Sequence, residues 1–239
     1  MPEMLEDFLM SRRPTAERPL LGQTVLLVED SRFASDAMRL LCLRSGARIR
    51  RADSLKSAAR HLATYRPSVA IVDLGLPDGS GLDLIADLAE ADPRIAVLLA
   101  TSGDDTLAQT AEQAGADGFL AKPLTSLALF QAEILDRLPS DSHPAGPRLV
   151  PADEIAPDRL ALRDDLAHLA EVLKGPQRPE TVAYAAQFLS GLALTADDKD
   201  LKEAAVQLAH VGITGPASTT ILGRITGLID SRIGQAAAV

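Results

Sequence analysis

The chain has 239 residues, enough for two domains of ordinary size, and 46% of them are hydrophobic, so each domain can bury a core. Aromatic residues make up only 3% and the net charge is −9, which argues against surfaces that stack bases or bind phosphate backbones. A single cysteine, Cys42, excludes a disulfide framework and a cysteine-rich zinc site. The acidic N-terminus and the lack of a long apolar run predict a cytoplasmic protein without a membrane span.

Residues 1–19 are predicted to be a short extension, in which a few apolar residues are followed by arginines and prolines. This extension either is a frayed terminus or docks on the next domain or on a partner. Residues 20–139 then alternate runs of strand length with helical periodicity, five times in succession. The predicted strands are 24–28, 47–51, 68–72, 95–100 and 118–121, and the predicted helices are 31–45, 54–65, 82–91, 104–114 and 124–138.

The central strands of this first domain are continuously apolar rather than alternating, which a parallel sheet covered on both faces requires. Right-handed crossovers then give a doubly wound α/β sandwich. Residues 140–157 are predicted to be a linker, because prolines recur through them. Residues 158–239 show only helical periodicity, in four apolar stripes with short separators, which favours an all-α domain built as an antiparallel four-helix bundle.

The α/β domain has chemically active groups at its predicted strand ends. Glu29 and Asp30 end the first strand, Asp73 the third, Thr101 the fourth and Lys122 the fifth. The carboxyl ends of parallel strands meet at one edge of the sheet, which is where ligands bind in such folds. Clustered carboxylates repel one another unless a cation lies between them, and oxygen ligands suit Mg²⁺. A magnesium site is therefore predicted at this edge.

Four short motifs, in this order and spacing, resemble the receiver domain of bacterial response regulators over residues 22–139. They are VLLVED at 25–30, IVDLGLPDGSG at 71–81, LATS at 99–102 and GFLAKP at 118–123. The resemblance implies a flavodoxin-like (βα)5 fold, a Mg²⁺ cofactor and a regulatory role rather than an enzymatic one. It also implies that a histidine kinase or a histidine phosphotransfer protein donates the phosphate.

The resemblance also implies a role for each matching residue at the phosphorylation site. The aspartate that matches Asp73 is the phosphoacceptor in the family. Asp30 and the backbone carbonyl of Gly75 would join it on the metal, while Glu29 would act largely through metal-bound water. Lys122 would neutralise charge on the phosphoryl oxygens in the transition state.

Three further positions match the family's switch. The hydroxyl of Thr101 would donate a hydrogen bond to the phosphoryl group, and the ring of Phe119 would then turn inward to fill the space that Thr101 leaves. The alternative for Phe119 is a plain core aromatic. Pro123 resembles the family's cis-proline, which would aim Lys122 at the site.

The segment AQFLSG at 186–191 resembles the motif of histidine phosphotransfer domains, Ala-His-x-Leu-Lys-Gly, with Gln187 at the histidine position and Ser190 at the lysine position. On a helical wheel, Gln187 lies opposite the apolar stripe and faces solvent, with Gly191 one turn further on the same face. A docking partner would sit there. The alternative is a generic helical bundle with an exposed glutamine.

These features predict a response regulator of a two-component phosphorelay, whose helical domain contacts an unidentified downstream protein or a second copy of the chain. One alternative is a transcription regulator with an unrecognised DNA-binding fold, although residues 150–239 have a net charge of −4 and no basic face. A second alternative is a metal-dependent phosphatase or hydrolase using the same carboxylates, against which the Lys122-Pro123 pair argues.

Overall fold

A computed structural model of the protein describes residues 13–146, 154–156, 158–176, 178–214 and 219–236. The predictions for residues 1–12, and for residues 147–153 and 157 of the linker, lie outside the described residues. Within them, five parallel strands form one sheet in the order β2-β1-β3-β4-β5. These strands are β1 (Thr24–Val28), β2 (Arg48–Ala52), β3 (Val69–Asp73), β4 (Val97–Ser102) and β5 (Gly118–Ala121).

Helices cover both faces of the sheet, as the apolar strands require. They are α1 (Arg32–Ser45), α2 (Leu55–Thr64), α3 (Gly81–Glu90), α4 (Ala108–Gln113) and α5 (Leu127–Leu135). Buried residues of α1 and α5 pack on one face of the sheet, and those of α2, α3 and α4 pack on the other. The predicted doubly wound, flavodoxin-like sandwich is confirmed.

Local sequence signals set the bounds of α1 and shift those of α5. The Ser31 side chain accepts a hydrogen bond from the Ala34 amide at the start of α1, and Gly46 ends that helix with φ of 83°, a left-handed conformation that glycine adopts readily. α5 begins at Leu127 rather than at the predicted 124, because Ser126 caps it by accepting a bond from Leu129.

The described part of the chain from residue 158 onward consists of helices and the short connections between them, as predicted. Their helices are α6 (Arg159–Lys174), α7 (Pro179–Thr195), α8 (Lys199–Thr214) and α9 (Thr219–Ala236). The apolar stripes predicted for these helices include Leu166 and Leu169 on α6 and Leu189 on α7, and all three are fully buried in one apolar cluster. Among the helices in the described part of the chain, none is both long and apolar enough to cross a membrane.

Part of the predicted linker packs back on the α/β domain. The Ile155 amide donates a hydrogen bond to the Thr125 carbonyl (2.9 Å), and Glu154 forms an isolated antiparallel bridge with Ser126. The Ile155 side chain is buried in the cluster beneath α5. The prolines of the segment disfavour regular structure, but this single isoleucine anchors it through apolar burial.

Candidate metal centre at the sheet edge

The residues predicted at the strand ends come together in the structure. One oxygen from each of Glu29, Asp30 and Asp73 lies within 4.8 Å of the others. Lys122 follows β5, and its Nζ lies 2.6 Å from Glu29 Oε2 and 3.1 Å from Asp73 Oδ2. The peptide bond from Lys122 to Pro123 is cis, as predicted. Parallel strands with a shared carboxyl edge place these four side chains in one cluster.

The cluster contains more negative charge than its single ammonium group balances. Burial, together with the charge of Asp73, raises the pKa of Glu29 to about 8. Burial and the same neighbour raise the pKa of Asp30 to about 6, although a hydrogen bond from Tyr184 opposes the shift. Burial alone would lower the pKa of Lys122, but the Asp73 and Glu29 carboxylates raise it above its ordinary value.

One oxygen of the cluster has the character of a metal ligand. Asp30 Oδ1 is buried and has no hydrogen-bond partner among the described residues. An unsatisfied buried oxygen is costly, and a cation would satisfy it. Gly75 lies just beyond β3, in a two-residue hairpin that pairs Gly75–Leu76 with Gly79–Ser80, and it lines the same cavity. An all-oxygen donor set of this kind fits Mg²⁺.

Two of the three predicted switch residues, Thr101 and Phe119, lie on β4 and β5. Thr101 pairs with Asp73 in the register of β3 and β4, and its side chain is fully buried. Its hydroxyl donates to the Leu120 carbonyl (2.8 Å), so a bond to a phosphoryl oxygen would require it to leave that partner. Phe119 is partly buried and packs on the side of the sheet that carries α3 and α4.

Helix α7 lies across this edge of the sheet. The Tyr184 hydroxyl donates to Asp30 Oδ2 at 2.6 Å. The Gln187 amide lies so close to Gly75 that a methyl group on this glycine would collide with it. Gln187 and Gly191 line a cavity of about 20 Å³ together with Asp73. That volume holds about one water molecule.

Gln187 is exposed, as the helical wheel predicts, and Gly191 is half-buried. The expectation that this face is free for a separate docking partner needs correction. The face lies against the chain's own α/β domain. A helical wheel shows which residues point away from a bundle, but it contains no information on what covers them.

A second contact joins the two domains at the start of α1. The Asp165 carboxylate accepts bonds from the Ser31 hydroxyl (2.8 Å), the Arg32 amide (3.0 Å) and the Phe33 amide (2.9 Å). A carboxylate is stabilised at this end of a helix by the unpaired amides and the helix dipole. Although Phe33 belongs to α1, its ring is 4% exposed and packs in the apolar cluster of the helical domain.

Sequence reasoning did not identify Tyr184, Asp165 or Phe33 as residues that act near the site. Tyr184 carried a usable signal, because it precedes Gln187 by three residues and therefore lies on the same helical face. Asp165 contributes to the net charge of −4 over residues 150–239, and nothing in the sequence marks it as buried, yet it is 3% exposed. No local pattern distinguishes Phe33 from a core residue of its own domain.

Comparison with known proteins agrees with the geometry of the α/β domain. Residues 25–133 match the response regulator receiver domain family. The KDP operon transcriptional regulatory protein KdpE of Escherichia coli K12 is 34% identical over 99 residues, which cover 41% of this chain and 44% of that protein. The transcriptional regulatory protein PhoP of Escherichia coli O157:H7 is 33% identical over 100 residues, or 41% of this chain and 45% of that protein.

A crystal structure of a putative response regulator from Chloroflexus aurantiacus J-10-fl shows 27% identity and a TM-score of 0.44, covering 48% of this chain and 98% of that one. The chain spans less than half the length of the curated relatives it matches. The family match identifies residues 25–133 as a response regulator receiver domain.

Proposed function

We propose that this protein is a response regulator of a two-component phosphorelay and that it accepts a phosphoryl group on Asp73. The donor is a histidine kinase or a histidine phosphotransfer protein. The observation that carries the proposal is the contact of Asp73 with Lys122 (3.1 Å) beside the Glu29 and Asp30 carboxylates, at the edge of a receiver domain.

The chemistry follows from the positions of these side chains. An oxygen of Asp73 attacks the phosphorus of the donor, and the bond from phosphorus to the donor's imidazole nitrogen breaks. The Lys122 ammonium then neutralises charge on the phosphoryl oxygens. Asp30, Asp73 and the Gly75 carbonyl would hold Mg²⁺, with Glu29 acting largely through a water ligand. When bound, Mg²⁺ offsets the remaining negative charge of the phosphoryl group.

The switch uses Thr101 and Phe119. The Thr101 hydroxyl leaves the Leu120 carbonyl and donates to a phosphoryl oxygen, which draws the loop after β4 inward. The Phe119 ring, now only partly buried, then turns into the vacated space. The peptide bond between Lys122 and Pro123 is cis, and the Lys122 side chain points at the acidic cluster. The phosphorylation state thereby changes the surface around β5.

The helical domain is a docking module that resembles a histidine phosphotransfer domain without its histidine. A histidine in such a domain has to face a receiver's aspartate, and Gln187 on α7 lines the cavity that contains Asp73. The amide nitrogen of glutamine is not a comparable nucleophile, because its lone pair is delocalised into the carbonyl. Output therefore runs through protein contacts of this domain, with an unidentified downstream protein or with a second copy of the chain.

The names of KdpE and PhoP favour a second candidate, a DNA-binding transcription regulator. The matched region covers only 41% of this chain, so it does not describe the helical domain. The net charge of −4 over residues 150–239 opposes binding to a phosphate backbone. A gel-shift experiment separates the two candidates. A DNA complex whose affinity falls steeply with salt concentration would favour the DNA-binding regulator over output through protein contacts.

Phosphorylation is tested with acetyl phosphate and Mg²⁺, followed by intact-mass measurement. Asp73→Asn should abolish the phosphorylated species, because the amide cannot form the acyl phosphate. Asp87→Asn is the matched control, since Asp87 is an exposed aspartate on α3, and it should label like the wild type. Undiminished phosphorylation of Asp73→Asn would refute the assignment.

A further inference from the structure

The helical domain lies on the surface from which Asp73 has to be reached. We propose that this docked arrangement, called the closed form from here on, prevents Asp73 from accepting a phosphoryl group. The helical domain must then separate from the receiver domain before transfer can occur. This inference rests on the proposed function, because it concerns access to the same aspartate.

Access to Asp73 is restricted by α7. The Asp73 side chain is only 9% exposed. The cavity beside it measures about 20 Å³, and Gln187 and Gly191 form part of its wall. A transferring phosphoryl group needs room for its three equatorial oxygens, with the attacking and leaving atoms roughly in line. Space for about one water is too small for that arrangement, even when the donor is a small molecule.

A direct bond joins the helical domain to the acidic cluster. The Tyr184 hydroxyl donates to Asp30 Oδ2 at 2.6 Å, the length of a strong bond to a charged acceptor. The Tyr184 ring packs beside Phe188, with centroids 5.7 Å apart, so its position is supported within α7. This bond stabilises the closed form at the site itself and is lost when the domains separate.

The contacts at α1 stabilise the same arrangement from the side. Phe33 buries its ring in the helical domain, and Asp165 accepts three bonds from the start of α1. These contacts bury apolar surface and satisfy helix amides, so the open form is a minor population. The rate of phosphorylation then scales with the open fraction, and changes in docking strength appear directly in that rate.

A reversible cross-link between the domains tests the proposal. A Cβ atom on Gly103 would lie 3.8 Å from the Gly191 Cα, and the side chain it meets more closely is the flexible end of Leu194. The pair Gly103→Cys and Gly191→Cys is thus within the span of a disulfide. The only native cysteine, Cys42, is buried in the receiver core. We expect the oxidised protein to label with acetyl phosphate about tenfold more slowly than the reduced protein.

Each single cysteine variant is a control and should label equally under both conditions. If the cross-linked protein labels as fast as its reduced form, the closed form does not block Asp73 and the proposal is wrong. If no variant labels at Asp73 under either condition, the proposed function fails together with this inference. Labelling that is present but insensitive to the cross-link refutes the inference alone.

A second, milder variant removes only the bond at the cluster. Tyr184→Phe should speed labelling about tenfold, because one hydrogen bond to a charged group stabilises the closed form. The chain has two tyrosines and no tryptophan, so Tyr65→Phe is a matched control and leaves Tyr184 as the only strong fluorophore. When Tyr65→Phe is combined with the Gly103→Cys and Gly191→Cys pair, the fluorescence of Tyr184 reports on the closed form. In the oxidised, cross-linked protein this fluorescence should stay constant while Mg²⁺ and acetyl phosphate are added. Unchanged or slower labelling of Tyr184→Phe would overturn the role of this bond in closure.

Discussion

Replacing Asp165 by alanine should weaken the interface between the two domains at the start of α1. Its carboxylate accepts three bonds, at 2.8, 3.0 and 2.9 Å, from the Ser31 hydroxyl and the amides of Arg32 and Phe33. Bonds to charged groups contribute about 1.5–3 kcal/mol each when one partner is removed. Burial also removes water from the carboxylate, and this loss of hydration raises the pKa of Asp165. The net loss of stability should therefore be about 2–4 kcal/mol, below the sum of three bonds.

Asp164 provides the matched control because it is the preceding residue on the same helix. It pairs with Arg32 at 3.1 Å, but both side chains are largely in contact with solvent, at 42% and 67% exposure. Asp164→Ala should therefore change stability by less than about 1 kcal/mol. Urea unfolding measures both variants, and hydrogen exchange at the first amides of α1 should quicken only in Asp165→Ala. Equal losses in the two variants would refute the assigned role of the buried carboxylate.

Three further outcomes follow from the cluster and from α7. Mg²⁺ affinity, measured by calorimetry, should fall as the pH drops from 8 to 6. The pKa values of Glu29 (about 8) and Asp30 (about 6) are raised, so protons compete with the metal for these oxygens. An affinity that rises on acidification would contradict this. Lys122→Ala should lower the free energy of unfolding by about 3–5 kcal/mol, because it leaves buried carboxylates unpaired. Mg²⁺ should then raise the melting temperature of this variant more than that of the wild type, and equal shifts would contradict this. Label from phosphorylated Asp73 should never appear in base-stable, acid-labile form on the helical domain, because Gln187 has no nucleophilic nitrogen and neither His168 nor His210 lines the cavity beside Asp73; finding it would mean phosphohistidine.

The acidic cluster could be predicted from the sequence because one topological rule places its members. Apolar runs without alternation predict a parallel sheet, and such a sheet brings its strand ends to one edge. Glu29, Asp73 and Lys122 are far apart in the chain, yet Asp73 is the last residue of a strand and the other two come directly after one. The rule needs no knowledge of side-chain packing, and the structure places the three side chains within salt-bridge distance.

The joint between the domains could not be predicted in this way. Tyr184 and Asp30 are 154 residues apart, and Phe33 and Asp165 are 132 residues apart. No periodic pattern connects such pairs, since their contact depends on how two finished domains pack. The wheel correctly placed Gln187 outside the helical core, but the identity of the covering surface is a tertiary property. Phe33 looks like any apolar residue of an amphipathic helix, although it serves the neighbouring domain.

Recognition and chemistry are separable on the α7 surface. A phosphotransfer helix has to hold a receiver's edge long enough for transfer, and the contacts that do this need not include the nucleophile. Here Tyr184 bonds to Asp30 and the Gln187 amide packs on Gly75, and neither side chain presents the imidazole nitrogen that takes the phosphoryl group in a phosphotransfer domain. A surface that binds without reacting occupies the site without consuming its phosphate. Such a surface competes with true donors in proportion to its docking strength, so Asp165 and Phe33, which lie away from the chemistry, would set how readily Asp73 is phosphorylated.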